Sequence, residues 1–162
     1  MLTREQFLPH EMRIVAALRM QGASDEQVIV RVKSENLFQY PTERMVANRA
    51  TVCLRRLDAM VPTDAACAAR SIDPKTAVEA ASSLTRLMAS GTPTQADQAI
   101  FYSMICRYDI VRELVLVEVG ERLQNFDYAF TAVDLNAFMT RFTTEYPDAA
   151  RWTEATVKRI KG

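Results

Sequence analysis

A chain of 162 residues, 49% apolar and 25% charged, has ordinary globular usage, and its length is enough to bury a core without disulfides or metals. Twenty basic and twenty acidic side chains leave a formal charge of zero. This excludes a global polycation, so any contact with a polyanion must come from a local patch.

Helix signals run in chain order. The first helix is predicted over residues 9–21, with Pro9 in its first turn and Gly22 just past its end; Leu8, Met12, Val15, Ala16 and Arg19 share a face. Ser24 with Gln27 forms a capping box for a second helix that buries Val28, Ile29 and Val32 and ends near Glu35. Residues 36–41 read as a turn with Leu37, Phe38 and Tyr40 as apolar anchors, and Thr42 caps a third helix to about Met60. Thr63 opens a short helix to Arg70, and Asp73-Pro74 starts another that ends at Ser90-Gly91. Thr94 with Asp97 is the expected cap of the next, which carries Ile100, Phe101, Met104 and Ile105. A helix is expected over residues 109–124, although Val111, Val115, Val117 and Val119 favour strand locally. Residues 125–130 form an aromatic loop, for which internal packing is the expectation. Thr131 with Asp134 caps a helix through Leu135, Phe138, Met139 and Phe142 that stops at Tyr146-Pro147, and Thr153 caps the last. With no convincing strand and no hairpin turn, the fold class is all-α, a multi-helix bundle. Residues 1–60 read as an N-terminal tri-helical unit and residues 61–162 as a C-terminal helical bundle, the two packing as one domain or as two.

Few residues offer chemistry. The cysteines, Cys53, Cys67 and Cys106, are widely spaced, form no C-x-x-C motif and read as reduced core thiols. His10 is the single histidine and stands at a helix start, a surface or capping position. Neither a phosphate-cradling glycine loop nor a G-x-S-x-G elbow is present, and Glu113, Glu118 and Glu121 lack the Glu-x-x-His pairing of a carboxylate metal site. The expectation is a binding protein rather than an enzyme, with no cofactor and no metal. The most apolar run, residues 114–119, contains Glu118 and is far short of the ~20 residues that span a bilayer. The opening Met1–Glu5 lacks the apolar stretch of a secretory leader. A cytoplasmic protein without membrane contact is expected.

The first 60 residues carry nine basic and seven acidic side chains, and they give helix, turn, helix, turn and a longer helix, the order of a helix-turn-helix-like DNA-binding unit. In the third helix Val46, Ala50, Cys53, Leu57 and Met60 make one apolar stripe. Opposite lie Arg44, Asn48, Thr51 and Arg55, while Arg49 and Arg56 fall at the margin of the stripe. Arginine grips phosphate or guanine and asparagine pairs with adenine, so this edge has the donors of a DNA reader. It equally fits a solvated face or a protein-partner surface, and the turn before it is longer than the usual three or four residues. The basic run Lys158-Arg159-Ile160-Lys161 reads as an exposed helix end, and Trp152 with Tyr146 and Phe142 as a packing anchor.

Four blocks carry a family likeness: residues 8–15 (Leu-Pro-His-Glu-Met-Arg-Ile-Val), residues 35–44 (Glu-Asn-Leu-Phe-Gln-Tyr-Pro-Thr-Glu-Arg), Phe126-Asp127-Tyr128, and residues 152–158 (Trp-Thr-Glu-Ala-Thr-Val-Lys). In this order and spacing the chain resembles the BrxA family, small helical proteins encoded in bacterial BREX phage-defence systems. The resemblance implies a non-enzymatic accessory protein with a NusB-like fold that binds double-stranded DNA. It singles out Gln39, Arg44 and Asn48, which lie in or next to the second block, and Arg49, Thr51, Arg55 and Arg56 complete the expected DNA-contacting set. The alternative is a scaffold subunit that meets other BREX subunits through its aromatic loop or acidic middle helices, without touching DNA.

Overall fold

The computed structural model describes residues 7–161; residues 1–6 and 162, which include the stretch read above for a leader, lie outside the described residues. The chain is all-helical, with no strand among the described residues. It forms two compact units, one within Gln6–Arg107 and one within Tyr108–Gly162. The first unit therefore runs well past residue 60, where the sequence pattern suggested a division.

The N-terminal unit contains α1 (Pro9–Met20), α2 (Asp25–Ser34), α3 (Glu43–Ala59), α4 (Asp64–Ala69), α5 (Pro74–Ser90) and α6 (Pro93–Arg107). Local chemistry sets most of these boundaries. Ser24 accepts from the Gln27 amide and Gln27 returns the bond, closing the capping box of α2. Thr42, Thr63 and Asp73 cap α3, α4 and α5 by accepting from the amide three residues on, without a returned bond. The cap of α6 is Thr92 with Gln95, two residues earlier than the expected Thr94: Pro93 occupies the first helical position, where its missing N–H costs nothing. Gly22 ends α1 at φ +84°, and the Ala23 amide bonds back to the Leu18 carbonyl.

The first three helices do not close a core alone. The helix α1 packs along α5 and against α3, α2 lies on α3, and α6 covers both α5 and α3. Their shared core holds Met12, Val15, Ala16, Val28, Val32, Val46, Ala50, Cys53, Met88 and Ile100, all buried. Each large aliphatic side chain so buried contributes about 1.5–3 kcal/mol, so tertiary packing rather than helix propensity holds these elements. The α5–α6 corner needs glycine: a Cβ on Gly91 would lie 2.5 Å from the Leu87 carbonyl oxygen.

The C-terminal unit follows a helical path from α7 (Asp109–Arg112) through a π-helical stretch (Glu113–Val119) to α8 (Gly120–Gln124). The valine-rich run thus stays helical, as expected, but with widened turns in place of a regular α-helix; β-branched crowding competes with α geometry there. A loop leads to α9 (Ala132–Glu145), capped reciprocally by Thr131 and Asp134. A single 3-10 turn (Ala149–Arg151) precedes α10 (Glu154–Lys161), which Thr153 caps. The buried Phe142 stacks on Tyr146 at 4.2 Å between ring centres and meets Trp152 at 5.9 Å, the packing anchor read from the sequence.

A polar node orders the rest of this unit. Arg122 binds the carboxylates of Asp127 and Asp134, each at 2.7 Å, and the Ala129 carbonyl at 2.8 Å. Glu118 lies 3.5 Å from Arg122 and accepts from Arg141 at 2.8 Å. Hydrogen bonds from Thr131, joined by the charge of Arg122, hold the Asp134 carboxyl below its ordinary range. A carboxylate depressed in the folded state stabilises that state above its unfolded value near pH 4, and the contribution disappears as pH falls through the depressed one. The near-UV circular dichroism of Trp152 is therefore expected to hold at pH 5 and to decay below about pH 4. An Asp134→Asn variant should lose part of this acid dependence, and identical acid titrations of the two proteins would contradict the role given to Asp134.

Candidate nucleic-acid interface

The buried stripe of α3 fixes what its other side presents. Val46, Ala50, Cys53, Leu57 and Met60 are all buried, as the spacing predicts, and Leu54 joins them. At 100° per residue the opposite edge is then Arg44, Asn48, Thr51 and Arg55. Arg44, Asn48 and Arg55 are exposed. None of the three takes part in a side-chain hydrogen bond or an ion pair among the described residues. Thr51 is recessed, and its hydroxyl donates to the Ala47 carbonyl at 2.9 Å, so its donor is taken up by its own helix.

The two carboxylates beside this edge are both engaged by cations from other helices. Glu43, at the start of α3, pairs with Lys33 of α2 at 3.2 Å. Asp58, near its end, pairs with Arg19 of α1 at 3.0 Å. Lys33 thereby takes up the nearest acid in sequence to Arg44, while Arg19 is shared between Asp58, the nearest acid to Arg55, and Asp25 of α2. Nothing in the sequence marks either pairing, because each joins helices ten or more residues apart.

The turn before α3 is held from two sides. The Asn36 side chain accepts from the Tyr40 amide and donates to the Tyr40 carbonyl, both at 3.1 Å. The Tyr40 hydroxyl donates to the carboxylate of Glu11, a buried residue in the first turn of α1. That hydrogen bond, reinforced by burial, raises the pKa of the Tyr40 phenol, and the charge of Arg49 works in the opposite sense. Gln39 stands exposed in this turn at φ +57°. Arg49 is half-buried on the Tyr40 side of α3.

Arg56 does not belong to the exposed edge, and its burial closes it to the phosphate contact expected of it. Its side chain is fully buried, with Nη1 donating to the Phe7 carbonyl oxygen at 3.0 Å. The margin of an apolar stripe is wet or dry according to what packs over it, and at Arg56 the chain leading into α1 covers it. Arg49 and Thr51, part-buried and hydrogen-bonded or otherwise engaged, are less accessible than the sequence suggested. The edge available to a ligand reduces to Arg44, Asn48 and Arg55, with Gln39 at the preceding turn. His10 is exposed on the first turn of α1, and no cluster of three metal-ligating side chains occurs among the described residues.

The contrast between adjacent arginines can be measured. Arg56→Ala removes a buried donor and leaves the Phe7 carbonyl unmatched, and is expected to cost about 2–4 kcal/mol in urea unfolding. Arg55→Ala should stay within about 0.5 kcal/mol of wild type. Equal effects of the two substitutions would remove the distinction.

No helix among the described residues is long and apolar enough to cross a membrane. No curated protein and no solved structure matches the chain. The BrxA family profile matches residues 1–162, the whole of it. The ordered blocks from Leu8 to Lys158 thus agree with a match that leaves no part of the sequence outside, and the chain belongs to the BrxA family.

Proposed function

We propose that this protein is a non-catalytic, double-stranded DNA-binding accessory protein of a BREX phage-defence system, and that α3 is the element that meets the duplex. The observation that carries the reading is the exposed edge of Arg44, Asn48 and Arg55, whose neighbouring acids Glu43 and Asp58 are each held by a cation from elsewhere. Arg44 and Arg55 are eleven residues apart, which is roughly 16 Å along a helix rising 1.5 Å per residue. The major groove is about 12 Å wide. A helix laid across it would bring one arginine to each bordering phosphate strand and Asn48 to the base edges between them. Asn48 offers the amide that pairs with adenine, and Gln39 offers a second one from the turn. Membership of the BrxA family supports the placement in phage defence.

Two free arginines make a small electrostatic footprint. Each phosphate contact contributes about −0.9 to the slope of log affinity against log salt, so α3 supplies a slope of roughly −2. Such a protein binds duplex DNA weakly and with little sequence preference unless Asn48 or Gln39 reads a base.

A mobility-shift titration at about 50 and 200 mM salt tests this. The Arg44→Ala/Arg55→Ala double variant is expected to bind roughly 10–100-fold more weakly at the lower salt and to lose about two units of slope. Equal affinity of the double variant and the wild type would take α3 out of the interface.

A further inference from the structure

The loop after α8 carries aromatic side chains that have no place in a core. Phe126 is 79% exposed and Tyr128 is 73% exposed, and Phe130 is also exposed. The internal packing expected of this loop is absent. Phe126 also has φ +58°, at the position just past the cap of α8 where glycine is the usual residue. The Asp127 amide bonds to the Arg122 carbonyl at 2.9 Å and the Phe126 amide to the Leu123 carbonyl at 3.2 Å, which closes the motif. A bulky residue in the left-handed conformation is destabilising, and here no burial offsets it.

The loop is nonetheless fixed in place. The three bonds of Arg122 to Asp127, Ala129 and Asp134 pin its backbone, and the guanidinium lies over the Phe130 ring, 5.5 Å from its centre. Aromatic side chains on a pre-ordered backbone are what protein interfaces use as anchors, since little freedom is lost on binding. The surroundings disfavour a polyanion. Residues 108–134 carry six acids against two arginines.

A complementary surface lies in the same unit. A groove of about 440 Å³ is lined by Ala149, Ala150, Trp152 and Val157 and edged by Lys158 and Glu154. The final helix bears Lys158, Arg159 and Lys161 against the single acid Glu154. A groove of mixed character, with Trp152 and Val157 beside Thr143 and Lys158, suits an exposed aromatic loop that follows the acid Glu121.

We propose that the loop of one copy, led by Phe126 and Tyr128, docks into the Trp152 groove of a second copy, with Glu121 facing Lys158 and Arg159. This reading is independent of DNA binding through α3. Aromatic side chains bury 150–250 Å² each, so three partly exposed rings give on the order of 400 Å² a side, half of the ~800 Å² of a standard interface. The association is therefore reversible, with a dissociation constant of roughly 10–500 μM. Loop and groove are different surfaces, so the contact is head-to-tail and leaves a free loop and a free groove on every assembly that does not close into a ring.

Sedimentation equilibrium of the full chain from about 5 μM to 1 mM tests the proposal, since that range brackets the association expected of so small an interface. The average mass should rise with concentration and pass the dimer. Phe126→Gly should abolish the rise while its melting temperature stays at or above wild type, because glycine accepts φ +58° without strain. Glu121→Lys and Lys158→Glu should each weaken association at least tenfold. Mixed in equal amounts, these two variants should associate again and pass the dimer, since the loop of each then meets a groove of opposite charge on the other. A monomer throughout the range, wild-type association by Phe126→Gly, or no recovery in the mixture would each overturn the proposal.

Discussion

The orientation of α3 governs what this protein offers to solvent. A helix turns 100° per residue, so placing Val46, Ala50, Cys53 and Leu57 in a core leaves no choice about where Arg44, Asn48 and Arg55 go. Three neighbours enforce that placement: α1, α2 and α6 all pack on α3. Rotating the helix by even one residue, or 100°, would carry part of this stripe out of the core. The basic edge is thus maintained by apolar contacts on the far side of the helix, and core substitutions there would alter ligand contact without touching a charged residue.

The two units are ordered by different forces. In the N-terminal unit nearly every helix contributes to one apolar core, and its polar contacts trim the corners: Asn36 across the Tyr40 turn, Arg13 donating to the Gly91 carbonyl at 3.4 Å, Tyr40 on Glu11. In the C-terminal unit the stacked rings of Phe142, Tyr146 and Trp152 form a small apolar nucleus, while Arg122 gathers three carboxylates and a carbonyl. An apolar core is insensitive to salt and proton concentration. A node of charges close to the surface is screened by the one and dismantled by the other. The environment therefore acts on the aromatic loop far more readily than on the edge of α3.

How much of this was legible in the sequence depends on the range of the interaction. Caps are local, and Ser24 with Gln27, Thr42, Asp73 and Thr131 with Asp134 announce themselves within four residues. The miss at Thr94 is also local: two threonines each precede a polar residue at the right spacing, and Pro93 decides between them. The stripe of α3 was legible because periodicity encodes burial directly. Arg56 was not, because its acceptor is a carbonyl 49 positions away and a helical wheel does not show what packs on its margin. The tri-helical reading of residues 1–60 overlooked that α5 and α6 share that core, a long-range fact with no local trace. The loop at Phe126 misled for the opposite reason. Aromatic composition suggests interior packing, yet ordering there comes from a single arginine, leaving the rings outside.

The bond between Arg56 and Phe7 has a practical corollary for anyone altering the start of this chain. The acceptor is a main-chain oxygen, so the side chain at position 7 is free to change as far as that bond is concerned, whereas the residue itself is not dispensable. Shortening the chain to begin at Leu8 would remove one acceptor from a guanidinium buried inside the bundle.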